Sequence, residues 1–114
     1  MAKWTDDERE RRDKVIAGET VLANLTMDHQ LIEWAKDEGL YVYIGRPSAW
    51  RNPYVVGEDG DRTTCIKSFK LYFARKLGLQ KRIGELRGKV LGCYCHPEAC
   101  HGCVLIHYTQ ENTQ

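Results

Sequence analysis

The chain has 114 residues, a hydrophobic fraction of 42% and a net charge of +1, values typical of one globular domain with a buried core. They argue against wholesale disorder, and the small net charge gives no sign of a strongly basic nucleic-acid binder. No apolar run reaches the roughly 18 residues of a membrane span, and the acidic N-terminus lacks a secretory signal. We therefore expect a cytoplasmic protein with reduced thiols and no membrane partner.

The first segment, residues 5–14, consists almost entirely of charged side chains. Thr5 can cap a helix whose first turn is acidic and whose later turns are basic, an order that the helix dipole favours. The pattern predicts a solvated helix or arm over residues 1–17. The alternative is a basic arm for nucleic acid, although acidic residues interrupt its cations. Those cations are Arg9, Arg11, Arg12 and Lys14.

Strand and helix patterns alternate over residues 18–110, which we assign to one α/β domain. An apolar run at 20–25 predicts a strand, and Asp28 is placed to cap a helix that stops near Gly39. Residues 41–45 are mostly β-branched or aromatic and predict a second strand. A strand, a helix and a strand in such close succession indicate a βαβ unit and a parallel pair.

Apolar residues at helical spacing predict a further helix from about Asp61 to Leu77, ended by Gly78. A short helical piece, a third strand over residues 89–95 and a last helix from His101 to about Tyr108 follow. The predicted fold class is α/β: a single compact domain with a short, mostly parallel sheet flanked by helices. The polar residues 111–114 are expected to form a loose tail.

The loop from Arg46 to Tyr54 directly follows the second predicted strand. In open α/β sheets, ligands bind beyond the carboxyl ends of the strands, so this loop is well placed for one. Arg46 and Arg51 can hold a phosphate or carboxylate, and Trp50 can stack on a base. Equally compatible with the sequence is a Trp50 that fills the core beside two solvated arginines. The predicted ligand-binding residues are Arg46, Trp50 and Asn52.

Thiols and imidazoles crowd the segment between Gly92 and Leu105. They belong to Cys93, Cys95, His96, Cys100, His101 and Cys103. Such crowding in a reducing compartment favours a metal site or reactive thiols over disulfides. A purely structural role, with buried thiols and histidines as polar plugs, fits the crowding least well.

A metal site is the first hypothesis for this segment. Cys93 and Cys95 are two apart on a predicted strand and so share a face. Cys100 lies three residues before Cys103, a spacing common in zinc knuckles, and one of the two histidines can replace a thiolate. The cofactor would be zinc. The predicted ligands are Cys93, Cys95, Cys100 and His101.

A thiol or anion site is the second hypothesis. Cys100 and His101 fall at the start of the last predicted helix, where free N–H groups attract phosphate and lower a thiol's pKa. Cys100 would be the nucleophile and His101 the base, which makes these two the predicted catalytic residues. His96, across the loop, is the alternative base.

Two stretches together resemble a known family. Residues 42–54 contain Trp-Arg-Asn-Pro, and residues 86–102 contain Cys-x-Cys followed by Cys-His-Gly. Both are similar to domain of unknown function 4326, a family of small phage and bacterial proteins sometimes found beside ParB-like nuclease or DNA-methyltransferase modules. The resemblance implies a compact α/β domain whose site combines the tryptophan loop and the cysteine motif, without an established reaction. Arg51 and Cys103 depart from the usual glycine and acidic residue, so a site that needs Cys103 would be a local elaboration.

Together with the family resemblance, the loop and cysteine patterns predict a phage or mobile-element accessory protein that binds or processes a nucleotide or nucleic-acid-derived ligand. The ligand would lie between the Arg46–Pro53 loop and the Cys93–Cys103 loop. The competing class is a noncatalytic zinc-binding module for a protein or nucleic acid. The sequence does not decide whether the protein is an enzyme and names no protein partner. A phage-encoded chain would act in the host cytoplasm.

Overall fold

Helices and three short strands alternate along residues 3–96 and 98–111, the part of the chain that this computed structural model describes. The predicted fold class is confirmed. Of the predicted tail at 111–114, Glu111 belongs to the last helix and residues 112–114 lie outside the described residues. The elements are α1 (Asp6–Ile16), β1 (Val21–Asn24), α2 (His29–Asp37), β2 (Tyr41–Tyr43), α3 (Arg62–Arg75), α4 (Leu77–Lys81), a 3-10 helix (Ile83–Leu86), β3 (Val90–Cys93) and α5 (His101–Glu111). No helix among them is long and apolar enough to cross a membrane.

The three strands form a parallel sheet in the order β1-β3-β2. Val90 of β3 is the partner of both Val21 on β1 and Tyr41 on β2. The predicted direct pairing of β1 with β2 is therefore wrong, although the two strands are parallel. The half-buried β2 takes one edge, whereas β1 and β3 are both buried at every residue and β3 takes the centre. The carboxyl ends of all three strands meet at one edge.

The sheet separates two apolar clusters, as expected for strands whose side chains alternate between faces. On one face, Leu22 and Leu91 pack with residues of α3 and α5, including Phe69, Phe73 and Leu105. The other face packs against α1 and α2. Its buried residues are Val15, Val21, Ala23, Leu31, Ile32, Ala35 and Val90. Cys93 and Cys100 belong to the α3–α5 side, which places the thiol cluster on that side of the sheet.

Helix α3 ends at Arg75 and not at the predicted Leu77, and Gly78 lies inside α4 instead of ending a helix. Lys76 interrupts the two helices because its ψ of 72° is not helical. The Gln80 side chain then donates to the carbonyl of Phe73 at 2.7 Å, satisfying one of the free carbonyls at the end of α3. The break at Lys76 therefore divides the single helix that the apolar spacing predicted into α3 and α4.

A buried glutamate ties α1 to α2. Thr5 caps α1 as predicted, in a capping box with Glu8. The other carboxylate oxygen of Glu8 accepts from the Leu31 N–H of α2 at 2.9 Å. Asp28, predicted to cap α2, makes no side-chain capping bond. Glu8 therefore satisfies free N–H groups at the starts of both helices.

Asp28 instead binds the buried Arg11. The guanidinium donates to both carboxylate oxygens, at 3.0 and 2.8 Å, and to the carbonyl of Leu22 at 2.7 Å. The Asn24 N–H also donates to Asp28, at 2.7 Å. Burial opposes ionisation of Asp28, but these hydrogen bonds and the charge of Arg11 outweigh it and lower its pKa. One face of the charged helix is thus a buried, paired interface.

We predict that Asp28→Asn lowers the free energy of unfolding by about 3 kcal/mol at pH 7, because it leaves the buried Arg11 with only the exposed carboxylate of Asp7 as a charged partner. A carboxylate with a lowered folded-state pKa adds stability above its ordinary value of about 3.9. That stability is lost as the pH falls through the folded-state pKa. Urea denaturation at pH 7 and pH 3 should show a smaller acid loss in the variant than in the wild type.

Asp37→Asn is the matched control, because Asp37 is exposed at the far end of the same helix. It should change the free energy of unfolding by no more than about 0.5 kcal/mol. Equal acid loss in the wild type and Asp28→Asn would contradict a stabilising role for the Asp28 charge.

Candidate functional site

A cavity of about 340 Å³ opens at the edge where the strands end. It lies beyond the carboxyl ends of β2 and β3, the usual position of ligand sites in parallel α/β sheets. The remaining walls come from the loop after β2 and the starts of α3 and α5. Its lining residues are Tyr43, Gly45, Arg46, Asn52, Tyr54, Val55, Val56, Arg62, Cys65, Ile66, Cys93, Tyr94, Cys95, Cys100 and His101.

Three thiols meet on one side of this cavity. The Sγ atoms of Cys93, at the end of β3, and Cys100, just before α5, are 3.9 Å apart. Cys95 lines the same cavity, and interactions with both of these thiols lower its pKa. Asn24 at the end of β1 fixes the intervening loop, because its amide donates to the carbonyls of Tyr94 and His96. All three strand ends therefore contribute to the position of the thiols.

Cys95 is the member of the cluster best placed to exist as a thiolate. Hydrogen bonds from Cys100 and Cys93, with a further hydrogen bond and the positive charge of Arg62, lower its pKa. Hydrogen bonding to Cys93 and Cys95, together with burial, raises the pKa of Cys100. Cys95 is half-buried whereas Cys100 is buried, so the more ionised thiol is also the more accessible one.

Arg62 connects α3 to the thiol loop from its position at the start of that helix. Its guanidinium forms an ion pair with Glu98 at 2.9 Å and donates to the carbonyl of Ala99 at 3.3 Å. Asp61 caps α3 by accepting from the Thr64 N–H at 2.8 Å, which fixes the helix start beside Arg62. Asp61 thus caps the helix, and the adjacent Arg62 places a positive charge beside the thiol cluster.

The Cys-His-Gly motif attaches α5 to the end of β2. The His101 Nε2–H donates to the carbonyl of Ile44 at 2.9 Å, and the ring packs edge-on against Phe69. Burial lowers the pKa of His101 in spite of that hydrogen bond, which favours the neutral ring. A side chain on Gly102 would collide with Leu22 and Ile44, so glycine permits the close approach of the helix to the sheet.

The predicted ligand-binding residues occupy different environments. Arg46 and Asn52 line the cavity, and Asn52 also accepts from the Tyr54 N–H at 3.0 Å. Trp50 is buried in the α3–α5 core beside Phe73 and is absent from the cavity lining. Of the two roles that the sequence allowed for Trp50, the structure shows core packing.

The predicted catalytic pair lacks the mutual geometry of a nucleophile and its base. Cys100 accepts from the Gly102 N–H at 3.3 Å, whereas Nε2 of His101 faces a carbonyl. Among residues 3–96 and 98–111, no group of three or more His, Cys, Asp or Glu side chains is arranged to hold a metal ion. The thiol cluster does bring together three of the four predicted zinc ligands.

The family model for domain of unknown function 4326 matches residues 29–111. The chain belongs to this family. One relative is an uncharacterized 12.4 kDa protein of the nrdA-td intergenic region of Enterobacteria phage T4, 37% identical over 70 residues, which are 58% of this chain and 64% of the relative. Another is an uncharacterized protein of Acanthamoeba polyphaga mimivirus, 34% identical over 84 residues, with 57% of this chain and 63% of the relative covered. No solved structure matches.

The family therefore includes phage and viral proteins, in agreement with the expected phage origin. The chain spans less than two thirds of the length of either relative. The matched region includes the cavity and the thiol cluster but begins after α1 and β1.

Sequence reasoning missed several cavity residues, above all Arg62 and the three tyrosines, Tyr43, Tyr54 and Tyr94. Arg62 had a detectable signal, because Gly60-Asp61-Arg62 begins a helix at a turn. The tyrosines had none, since an aromatic residue on a strand or in a loop is typical of core packing as well.

We predict that iodoacetamide at pH 7 modifies Cys95 faster than Cys93 or Cys100, because the thiolate is the nucleophile. Peptide mass spectrometry after short exposures measures the order. Arg62→Gln should slow modification of Cys95 by removing the cation that favours its thiolate. Fastest modification at Cys100 would contradict this order and support the nucleophile predicted from the sequence.

Proposed function

We propose that the protein binds a nucleotide or a similar nucleic-acid-derived anion in the cavity at the sheet edge. The observation that carries this proposal is the lining, which combines two arginines and three tyrosines with no aspartate or glutamate among its described residues. The cavity's 340 Å³ is near the lower end of the usual range for small-molecule sites. That size suits a mononucleotide better than a dinucleotide cofactor.

The charges support an anionic ligand. Arg46 is exposed on the loop after β2, and it forms no ion pair with any carboxylate in the described part of the chain. Arg62 keeps part of its donor capacity beyond the ion pair with Glu98. A phosphate between these two guanidinium groups would receive charge-assisted hydrogen bonds.

The aromatic residues support a base. Tyr43, Tyr54 and Tyr94 line the cavity, and Tyr94 is 64% exposed. Stacking of a base on an aromatic side chain is worth about 1–3 kcal/mol. Asn52 also lines the cavity, and its amide keeps one N–H and one lone pair beyond its bonds to the Cys65 carbonyl and the Tyr54 N–H. If the bound nucleotide is processed, Cys95 is the most accessible of the thiols that line the cavity.

We predict that nucleoside monophosphates bind more tightly than the matching nucleosides, and that Arg46→Ala weakens nucleotide binding at least tenfold. Loss of a charge-assisted hydrogen bond costs about 1.5–3 kcal/mol, which corresponds to that change. Isothermal titration calorimetry with a panel of ribo- and deoxyribonucleotides provides the measurement.

Arg51→Ala is the control, because Arg51 is an exposed residue of the same loop that does not line the cavity. Its nucleotide affinity should stay within about twofold of the wild type. Equal losses in the two variants, or no nucleotide binding by the wild type, would refute the proposal.

A zinc-binding interaction module is the second candidate function. The supporting observation is the 3.9 Å separation between the sulfurs of Cys93 and Cys100. Two sulfurs on one tetrahedral zinc, each at about 2.3 Å, lie about 3.8 Å apart. Cys95 would be the third ligand after a shift of its side chain, because no three such side chains in the described residues are arranged to hold a metal ion. His101 would have to release the Ile44 carbonyl to become the fourth.

Under this alternative, protein purified without added metal should contain about one zinc per chain, and a chelator should lower its melting temperature. Cys93→Ser should abolish the zinc content, whereas Cys103→Ser, at an exposed thiol, should leave it unchanged. Mass spectrometry of the metal content measures both. A metal-free wild type that is insensitive to chelator would exclude this candidate.

A further inference from the structure

The net charge of +1 conceals a strong separation of charge along the chain. Seven cations and no acidic residue occur between residues 62 and 84, whereas the remaining residues carry a net charge of −6. The cations are Arg62, Lys67, Lys70, Arg75, Lys76, Lys81 and Arg82. This segment forms α3, α4 and the first half of the 3-10 helix.

Most of these cations point to solvent on one side of the molecule. Helix α3 buries Cys65, Phe69 and Phe73, which directs the opposite side of the helix outward. We call the exposed cations of α3, its end and α4 the basic face. Its members are Lys67, Lys70, Arg75, Lys76 and Lys81, all exposed.

The basic face is not neutralised within the described part of the chain. None of its cations forms an ion pair there, and Lys76 lies over the ring of Tyr72 at 5.2 Å. The cations once considered for a nucleic-acid arm differ in this respect, because each is paired with an acid. Those pairs are Arg9–Asp6, Arg11–Asp28, Arg12–Asp13 and Lys14–Glu10.

Two shallow grooves run beside the basic face. One is lined by Tyr54, Ser68, Leu71, Tyr72, Arg75 and Lys76, and the rings of Tyr54 and Tyr72 meet edge to face at 6.3 Å. The other lies between α3 and α5 and includes Lys67 and Lys70. Tyr54 also lines the cavity at the sheet edge, so the first groove and that cavity are neighbours on either side of this residue.

We propose that the basic face binds the sugar-phosphate backbone of a single-stranded nucleic acid. Unpaired cations spread along α3, which is about 20 Å long, match a chain of phosphates better than one isolated anion. Aromatic rings beside cations are the usual components of single-strand binding grooves, because unpaired bases stack on them. The Tyr54–Tyr72 pair supplies that feature once Lys76 moves off the Tyr72 ring toward a phosphate, and an acidic protein or an anionic lipid surface would leave it unused.

This inference does not rest on the proposed nucleotide site, since no cation of the basic face lines the cavity. The shared Tyr54 connects the two surfaces in space. A nucleic-acid strand lying along the groove of Arg75 and Lys76 would bring a terminal or unstacked nucleotide close to the cavity at Tyr54.

Fluorescence anisotropy with a labelled 20-nucleotide single strand of mixed sequence tests the inference between 50 and 200 mM salt. The double variant Lys70→Gln and Arg75→Gln should bind at least tenfold more weakly than the wild type at 50 mM. Its slope of log affinity against log salt should be shallower by about 1.4, since each single-strand phosphate contact contributes about 0.7. The variant's circular dichroism should match the wild type, because both side chains are exposed.

The double variant Lys14→Gln and Lys36→Gln is the matched control. It changes the net charge equally, but its lysines pair with Glu10 and Glu33 on helices at the other face of the sheet. It should retain affinity within twofold. Equal losses in both double variants would show a general charge effect and overturn the assignment of this face.

Two further comparisons complete the test. Tighter binding to a matched duplex, or binding to phosphatidylserine vesicles without binding to the oligonucleotide, would overturn the choice of single-stranded nucleic acid. Arg46→Ala should keep the oligonucleotide affinity within about threefold of the wild type. The double variant Lys70→Gln and Arg75→Gln should retain mononucleotide binding. Failure of the basic face is therefore distinguishable from failure of the nucleotide cavity.

Discussion

The position of β3 between β1 and β2 is the constraint on which the site depends. Because both outer strands run parallel to β3, Asn24, Ile44 and Cys93 come to the same edge of the sheet. Asn24 then holds the loop that carries Cys95, and the Ile44 carbonyl receives the His101 side chain. Any other strand order would separate these contacts, so the cavity and the thiol cluster follow from the central position of one buried strand.

The cysteine motif contains buried residues that pack and one half-buried thiol that is accessible. Cys100, His101 and Gly102 are buried and hold the start of α5 against the ends of the strands. Cys95 lines the cavity, and its neighbours lower its pKa. The buried part of the motif thus sets the position of the accessible thiol. A recognisable motif with this division can be retained for its packing as well as for its reactivity.

The sequence predicted the strands and most helices, because apolar runs and cap residues act locally. It could not supply the strand order, since β1 and β3 are both fully buried apolar strands and their placement depends on contacts between distant parts of the chain. Charge in the first helix suggested solvation, yet Glu8 and Arg11 are buried because partners distant in sequence, Leu31 and Asp28, satisfy them. The site was foreseen in part: Arg46, Asn52 and the thiols were identified, whereas the tyrosines and Trp50's place in the core depend on tertiary packing.

Glu8 links the stability of α1 to that of α2. It lies outside the region matched by the family model, yet it supplies the carboxylate that completes the first turn of α2 inside that region. Melting of α1 would expose the N–H of Leu31 and remove the arginine partner of Asp28 in the same event. We therefore expect α1 and the part of the domain matched by the family model to unfold together. A partner that binds α1 would then also change the stability of the sheet.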